Sequence, residues 1–214
     1  MNYPPVEVKV WGTLGCFTRP EAKIERVSYE CPTPSAARNM LQSIYSHPQM
    51  QWQIREIWVL NPIKFTSFTT NELEGRATLS YARQRIAGQA VPYTAQFERQ
   101  QRHNLVLKDV AYVIKADVLT EDEPAKHRDQ FRRRVSTGAC HTRPYFGIRE
   151  YVAHFGDPAG DECPIPVSRD LGRMLFDLDY QGEGRGKPLF FNARLERGIL
   201  YVPQHLYQEV RHAS

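Results

Sequence analysis

No two of the four cysteines, Cys16, Cys31, Cys140 and Cys163, stand close together or in a C-x-x-C pair. That argues against a zinc site and against a small disulfide scaffold, and leaves reduced thiols of a cytosolic protein as the expectation. No apolar run approaches the roughly 18 residues of a spanning helix. The start, MNYPPVEVKVW, has no apolar stretch of signal-peptide length. The chain therefore reads as cytoplasmic, with no membrane partner. Also missing are G-x-S-x-G, H-E-x-x-H and G-x-x-x-x-G-K-S/T; QGEGRGKP at 181 to 188 is too short in spacing for a phosphate loop and puts Pro188 in place of the hydroxyl. A mobile basic loop is the reading there. The aromatic signature of common RNA-recognition domains is absent, so base stacking on a sheet face is not assumed.

Charge of one sign is scarce overall but concentrated locally. The 214 residues carry a net +4, yet residues 126 to 149 hold seven lysines and arginines against the single acid Asp129, a net +6 that leaves −2 for the rest. Such a block suits a local polyanion-binding surface, with a plain solvated helix face as the alternative. Hydrophobic residues at 41% and aromatics at 11% are too plentiful for a disordered chain, and the length allows one large or two small modules.

Periodicity orders the chain. VEVKVWG (6 to 12) alternates as a half-buried strand does. TPSAARNMLQSIYSHP (33 to 48) reads as an amphipathic helix capped by Thr33 or Ser35, stopped by Pro48, with Tyr45 in its last turn. QWQIREIWVLNP (51 to 62) alternates again, with a slip in phase between Ile54 and Ile57. Residues 63 to 104 loosen into a long hairpin or insertion. LVLKDVAYVIKADVL (105 to 119), rich in β-branched residues, is a strand. Pro124 opens a second helix behind the acids 121 to 123, Phe131 and Val135 form its buried edge, and Gly138 ends it. PYFGIREYVAHFG (144 to 156) reads as another strand. This order, strand, helix, strand, excursion, strand, helix, strand, is that of an α+β, ferredoxin-like (RRM-like) βαββαβ domain over residues 1 to 156. Residues 157 to 214 form a small antiparallel β domain, with LGRMLFDLDY helical or extended and a hairpin turning at Glu196, Arg197 and Gly198.

Two constellations carry chemistry. Asp177 and Asp179 share a face if their segment is a strand, which makes a metal-dependent DNA nuclease conceivable, although two carboxylates without a third ligand are weak. The other is Tyr45 at the exit of the first helix with Lys126 and His127 at the entrance of the basic one. Packed on one sheet face, these ends can share a pocket suited to attack by a ribose 2′-hydroxyl on its adjacent phosphodiester. The nucleophile belongs to the substrate, so proton transfer and charge stabilisation suffice. An imidazole titrates near neutrality and serves as base or acid, an ammonium neutralises the phosphorane, and a phenol can orient, hydrogen-bond or donate a proton. The bland readings are an amphipathic-helix tyrosine, a histidine packed beside Phe131 and a surface lysine.

The segments VEVKVWGTLGCFTRPEAKIERVSYECPTPSAARNMLQSIYSHP, Lys126-His127 before RRRVSTGACHTRPYFGIREY, and DLGRMLFDLDY followed by FFNARLERGILYVP resemble the subtype I-C CRISPR-associated Cas five proteins, repeat-processing endoribonucleases of the RAMP superfamily. The resemblance covers essentially the whole chain. It implies metal-independent cleavage of precursor CRISPR RNA within its repeat, without a cofactor, by Tyr45, Lys126 and His127. It also implies retention on the crRNA 5′ handle as a subunit of the type I-C interference complex. Ser46 departs from the tryptophan frequent after that tyrosine. On this reading Arg128, Arg132, Arg133, Arg134, His141 and Arg143 hold phosphates of the repeat, and hairpin shape gives specificity. A non-catalytic RNA-binding subunit of the same complex is the alternative. Binding of duplex DNA stays open, because a basic surface attracts either polymer.

Overall fold

Alternating burial defines the first strand. Val6, Val8 and Val10 of β1 (Val6–Gly15) are buried on one face, and Glu7 and Trp11 are exposed on the other. The computed structural model describes residues 3–22, 24–73, 79–89, 99–120, 123–180 and 186–210. After the two-residue strand β2 (Arg26–Val27) comes α1 (Pro34–Ile44), whose N-cap is Thr33: its side chain accepts from the Ala36 N–H at 3.2 Å, and Pro34 takes a position that needs no N–H. Ala37, Met40, Leu41 and Ile44 are its core face.

Strand β3 (Met50–Val59) buries Trp52 and Ile54, then Ile57 and Val59, and its register shifts between Ile54 and Glu56. The slip in sequence phase is thus a β-bulge, which returns the apolar side chains to the core face. β4 (Lys64–Leu73) pairs antiparallel with the first half of β5 (Arg99–Thr120), and α2 (Leu79–Ile86) lies between them in sequence. The described strands of the excursion of 63 to 104 thus pair as the arms of a long hairpin. The second half of β5 lies between β1 and β3, antiparallel to both.

α3 (Pro124–Thr137) buries His127, Arg128, Phe131 and Val135, and ends in Gly138. Beyond it, most of 144 to 156 departs from the expected strand. Only β6 (His154–Gly156) pairs, with Lys9 to Trp11 of β1, while Tyr145 makes an isolated bridge to Val152. The reason is local. Gly147 has φ +81°, and Phe146 and Tyr151 bond back across a tight turn, Phe146 N–H donating to the Tyr151 carbonyl at 2.7 Å. LGRMLFDLDY, all but its last residue Tyr180, lies in strand β7 (Arg169–Asp179); β8 (Lys187–Glu196) and β9 (Ile199–Tyr201) form the expected hairpin. Arg197 and Gly198, at φ +48° and +79°, are its two-residue turn, a left-handed pair that glycine tolerates at its second position. The proposed basic loop falls largely on residues 181–185, outside the described residues.

The result is a mixed α/β protein on one mostly antiparallel sheet, in the order β6-β1-β5-β3-β9-β8-β7, with β2 and β4 also paired to β5. α1 packs on β3 and β7, α3 on β5, β1 and β6, and the two helices touch. The core lies between them and the sheet, centred on Trp52, Phe131, Met40, Leu41 and Ile114. No helix among the described residues is long and apolar enough to cross a membrane.

Candidate active site

Tyr45 is the residue just past α1, not part of its last turn. Its backbone is extended (φ −148°, ψ 128°), although its N–H still donates to the Leu41 carbonyl at 2.8 Å. Two causes coincide. Pro48 has no N–H to give the Ile44 carbonyl, so the helix cannot run on through it, and the carbonyls left over at the helix end find donors elsewhere. The Ser43 carbonyl accepts from the N–H groups of His141 and Thr142 at 2.9 and 3.1 Å, Ile44 from Arg134 Nη1 at 2.9 Å, and Tyr45 from Trp52 Nε1 at 3.0 Å. The end of α1 is therefore clamped by α3, by the loop after it and by β3.

Clamping aims the Tyr45 ring at α3. Its hydroxyl lies 2.8 Å from His127 Nδ1, a buried hydrogen bond, and the Arg134 guanidinium stands 5.4 Å from its ring centroid. His127 lies in the first turns of α3, one turn before Phe131; the i, i+4 spacing that buries Phe131 and Val135 turns the imidazole inward too. It is 4% exposed. Lys126, one residue away and so about 100° around the helix, faces solvent: its side chain is 73% exposed and its ammonium lies 3.5 Å from the Glu123 carboxylate. The structure thus brings Tyr45 and His127 into contact and leaves Lys126 facing solvent beside Glu123.

The expected phosphate-binding residues divide into two groups. Arg132, Arg133, His141 and Arg143 are exposed; Arg132 faces Asp129 at 3.8 Å. Arg133 and His141 line a cleft of about 510 Å³ together with Arg134, Gln130, Thr137 and Cys140. Arg128 and Arg134 are turned to the chain itself. Arg128 is buried, donates to the Pro4 carbonyl and stacks near Tyr3; desolvation, with the neighbouring Arg132 charge, pulls its pKa below the ordinary guanidinium value. A buried guanidinium needs a fixed acceptor, and Arg128 has one in the Pro4 carbonyl; Arg134, only half-buried, donates to the Ile44 carbonyl and still lines the cleft. Asp177 is likewise engaged. Arg38 grips it with two hydrogen bonds of 2.8 and 2.9 Å, joining α1 to β7.

Sequence reasoning missed His47. Its ring lies 4.9 Å from that of His127, centroid to centroid. The signal was present in SIYSHP, where His47 follows Tyr45 by two residues, but a helix continuing to Pro48 would have put it on another face.

A family model for CRISPR-associated proteins, Cas5d within the Cas5 group, matches residues 6–198. The chain belongs to this Cas5d family. Two Cas5d relatives, each called a CRISPR pre-crRNA endoribonuclease, come from Mannheimia succiniciproducens and Thermus thermophilus. The first is 40% identical over 223 residues, covering 96% of this chain and 98% of the relative; the second is 40% identical over 226 residues, covering 96% and 94%. A solved crystal structure of a CRISPR-associated protein superposes with a TM-score of 0.67 at 20% identity, over 95% of this chain and 96% of the other. That likeness shows that the two chains share a fold over nearly their whole length.

Proposed function

We propose that this Cas5d chain is an endoribonuclease that cleaves precursor CRISPR RNA within its repeat, without a metal ion, and stays on the 5′ handle of the product as a subunit of the type I-C interference complex. One observation carries the reading: the Tyr45 hydroxyl and His127 Nδ1 meet at 2.8 Å where two helix ends converge, beside exposed basic side chains. The printed activity of two relatives that match nearly the whole chain supports it.

The chemistry follows from that hydrogen bond. If Nδ1 holds the proton and donates to the phenol oxygen, Nε2 has a lone pair and acts as base; if the phenol donates, Nε2 carries the proton and acts as acid. One contact that can run in either direction serves both halves of a transesterification. The O2′ proton passes to the Tyr45–His127 pair, the O2′–P bond forms, and the P–O5′ bond breaks with its electron pair on O5′, which receives a proton from the same pair. The products are a 2′,3′-cyclic phosphate and a 5′-hydroxyl. Lys126, together with the positive end of α3, offsets the phosphorane charge. Arg132, Arg133, His141 and Arg143 hold flanking phosphates.

The same proposal takes the core to be ferredoxin-like, a reading supported by the order β6-β1-β5-β3 and by α1 and α3 in contact with each other. It treats residues 1–156 as the catalytic domain and 157–214 as a small β domain joined through the β3–β9 pairing. A second reading, a non-catalytic RNA-binding subunit, is favoured by the burial of both Tyr45 and His127. Repeat RNA incubated with the protein in EDTA decides between them: cleavage with the stated termini supports the enzyme, and tight binding of intact RNA over hours supports the binding subunit. A duplex DNA competitor in the same assay reports whether the basic surface also takes DNA.

A further inference from the structure

Past the end of α1 the chain carries a second imidazole to the first. The ring planes of His47 and His127 are tilted by 46° at a centroid separation of 4.9 Å. Of the two, His47 is only half-buried, whereas His127 is buried. The Gln49 backbone N–H donates to His47 Nδ1 at 3.3 Å. In the neutral ring that bond leaves the proton on Nε2, which makes His47 a hydrogen-bond donor at that nitrogen. The short turn Ser46–Gln49 holds it there: Pro48 restricts the backbone of His47, and the Met50 N–H donates back to the His47 carbonyl at 3.2 Å. A fixed N–H donor beside a proton-transfer pair matches what a developing phosphorane requires.

Resting on the endoribonuclease reading above, we propose that His47 is a further catalytic residue, donating from Nε2 to a non-bridging oxygen of the scissile phosphate. It neither gains nor loses a proton in the step. The O2′ proton still passes to the Tyr45–His127 pair, and the departing O5′ still takes one from it; His47 stabilises the extra negative charge on the pentacoordinate phosphorus. The role needs a donor at one fixed position and no titration, which sets it apart from His127.

Single-turnover cleavage of repeat RNA by the full chain tests this with wild type, His47→Ala, His47→Gln and His127→Ala. A glutamine side chain puts an amide N–H near the place of the imidazole Nε2. His47→Ala is expected to cleave roughly 100-fold more slowly, the scale of losing one oxyanion donor, with unchanged affinity for an uncleavable 2′-deoxy repeat. His47→Gln is expected to recover most of the rate, and His127→Ala to remain slow. Wild-type rate in His47→Ala overturns the proposal. So do equal losses in His47→Ala and His47→Gln, which would mark a ring that only packs against His127. In either case cleavage by the wild type leaves the endoribonuclease reading standing. Wild type that binds the repeat and leaves it intact removes both.

Discussion

A phenol and an imidazole from residues 82 positions apart meet because each is fixed by its own element. His127 was legible from the spacing that buries Phe131 and Val135, and Tyr45 from its place near a helix end. What the sequence could not show was the backbone of Tyr45. Periodicity continues the helix to Pro48, whereas tertiary donors from Trp52, Arg134, His141 and Thr142 end it at Ile44. The burial of Arg128 was hidden for a related reason, since charge on a helix says nothing of which acceptor the fold places nearby; here it is the Pro4 carbonyl. The pair leads to a prediction at this scale. His127→Ala should slow cleavage by roughly 10² to 10⁴, and Tyr45→Phe should also slow it while leaving the His127 ring in place. Single-turnover rates at saturating protein measure both, and affinity for a 2′-deoxy repeat should hardly change in either variant.

Elements that depend on local rules were the most legible. The phase slip in β3 is a bulge, Gly138 ends α3, and Arg197 and Gly198 turn the β8–β9 hairpin. The segment 144 to 156 reads as strand from its sequence, but Gly147 and the Phe146–Tyr151 turn interrupt the ladder. The next segment contains an acid-sensitive feature. Hydrogen bonds from the Ala159 and Gly160 N–H groups, at 2.7 and 2.8 Å, together with Lys9 at 3.3 Å, hold the Glu162 carboxyl down at about 2, against an ordinary 4.5. A folded-state pKa below the unfolded one means that the carboxylate stabilises the fold above about pH 4.5 and that this contribution is lost as pH falls toward about 2. Glu162→Gln should therefore be less stable than wild type at pH 7, with the difference shrinking between these limits. Urea unfolding at stepped pH measures it.

Over the whole molecule, the sheet does what local pattern cannot announce. β9 pairs with β3 through Ile57 and Leu200, which ties the last strands to the edge of the first ones; such a long-range pairing has no signature in periodicity. Arg38 and Asp177 add a second tie, and Asp177, read from sequence as a conceivable metal ligand, holds α1 against β7. Arg38→Ala should destabilise the protein by about 3 kcal/mol, because it leaves a buried carboxylate unpaired; replacing both residues by apolar ones of similar size should cost far less, as denaturant midpoints would show. The basic surface predicts behaviour in salt. Each phosphate neutralised on single-stranded RNA adds about 0.7 to the slope of log affinity against log salt. Arg133→Ala should therefore lower that slope by about this amount and leave the cleavage rate at saturation alone, measured by filter binding over a salt series. The central claim is that the substrate supplies its own nucleophile to a protein-only site. Its most direct test is end-labelled repeat RNA in EDTA with a single 2′-deoxy substitution at the cleaved position. The account predicts cutting of the all-ribose strand and none at the substituted bond; cutting there at an undiminished rate would contradict it.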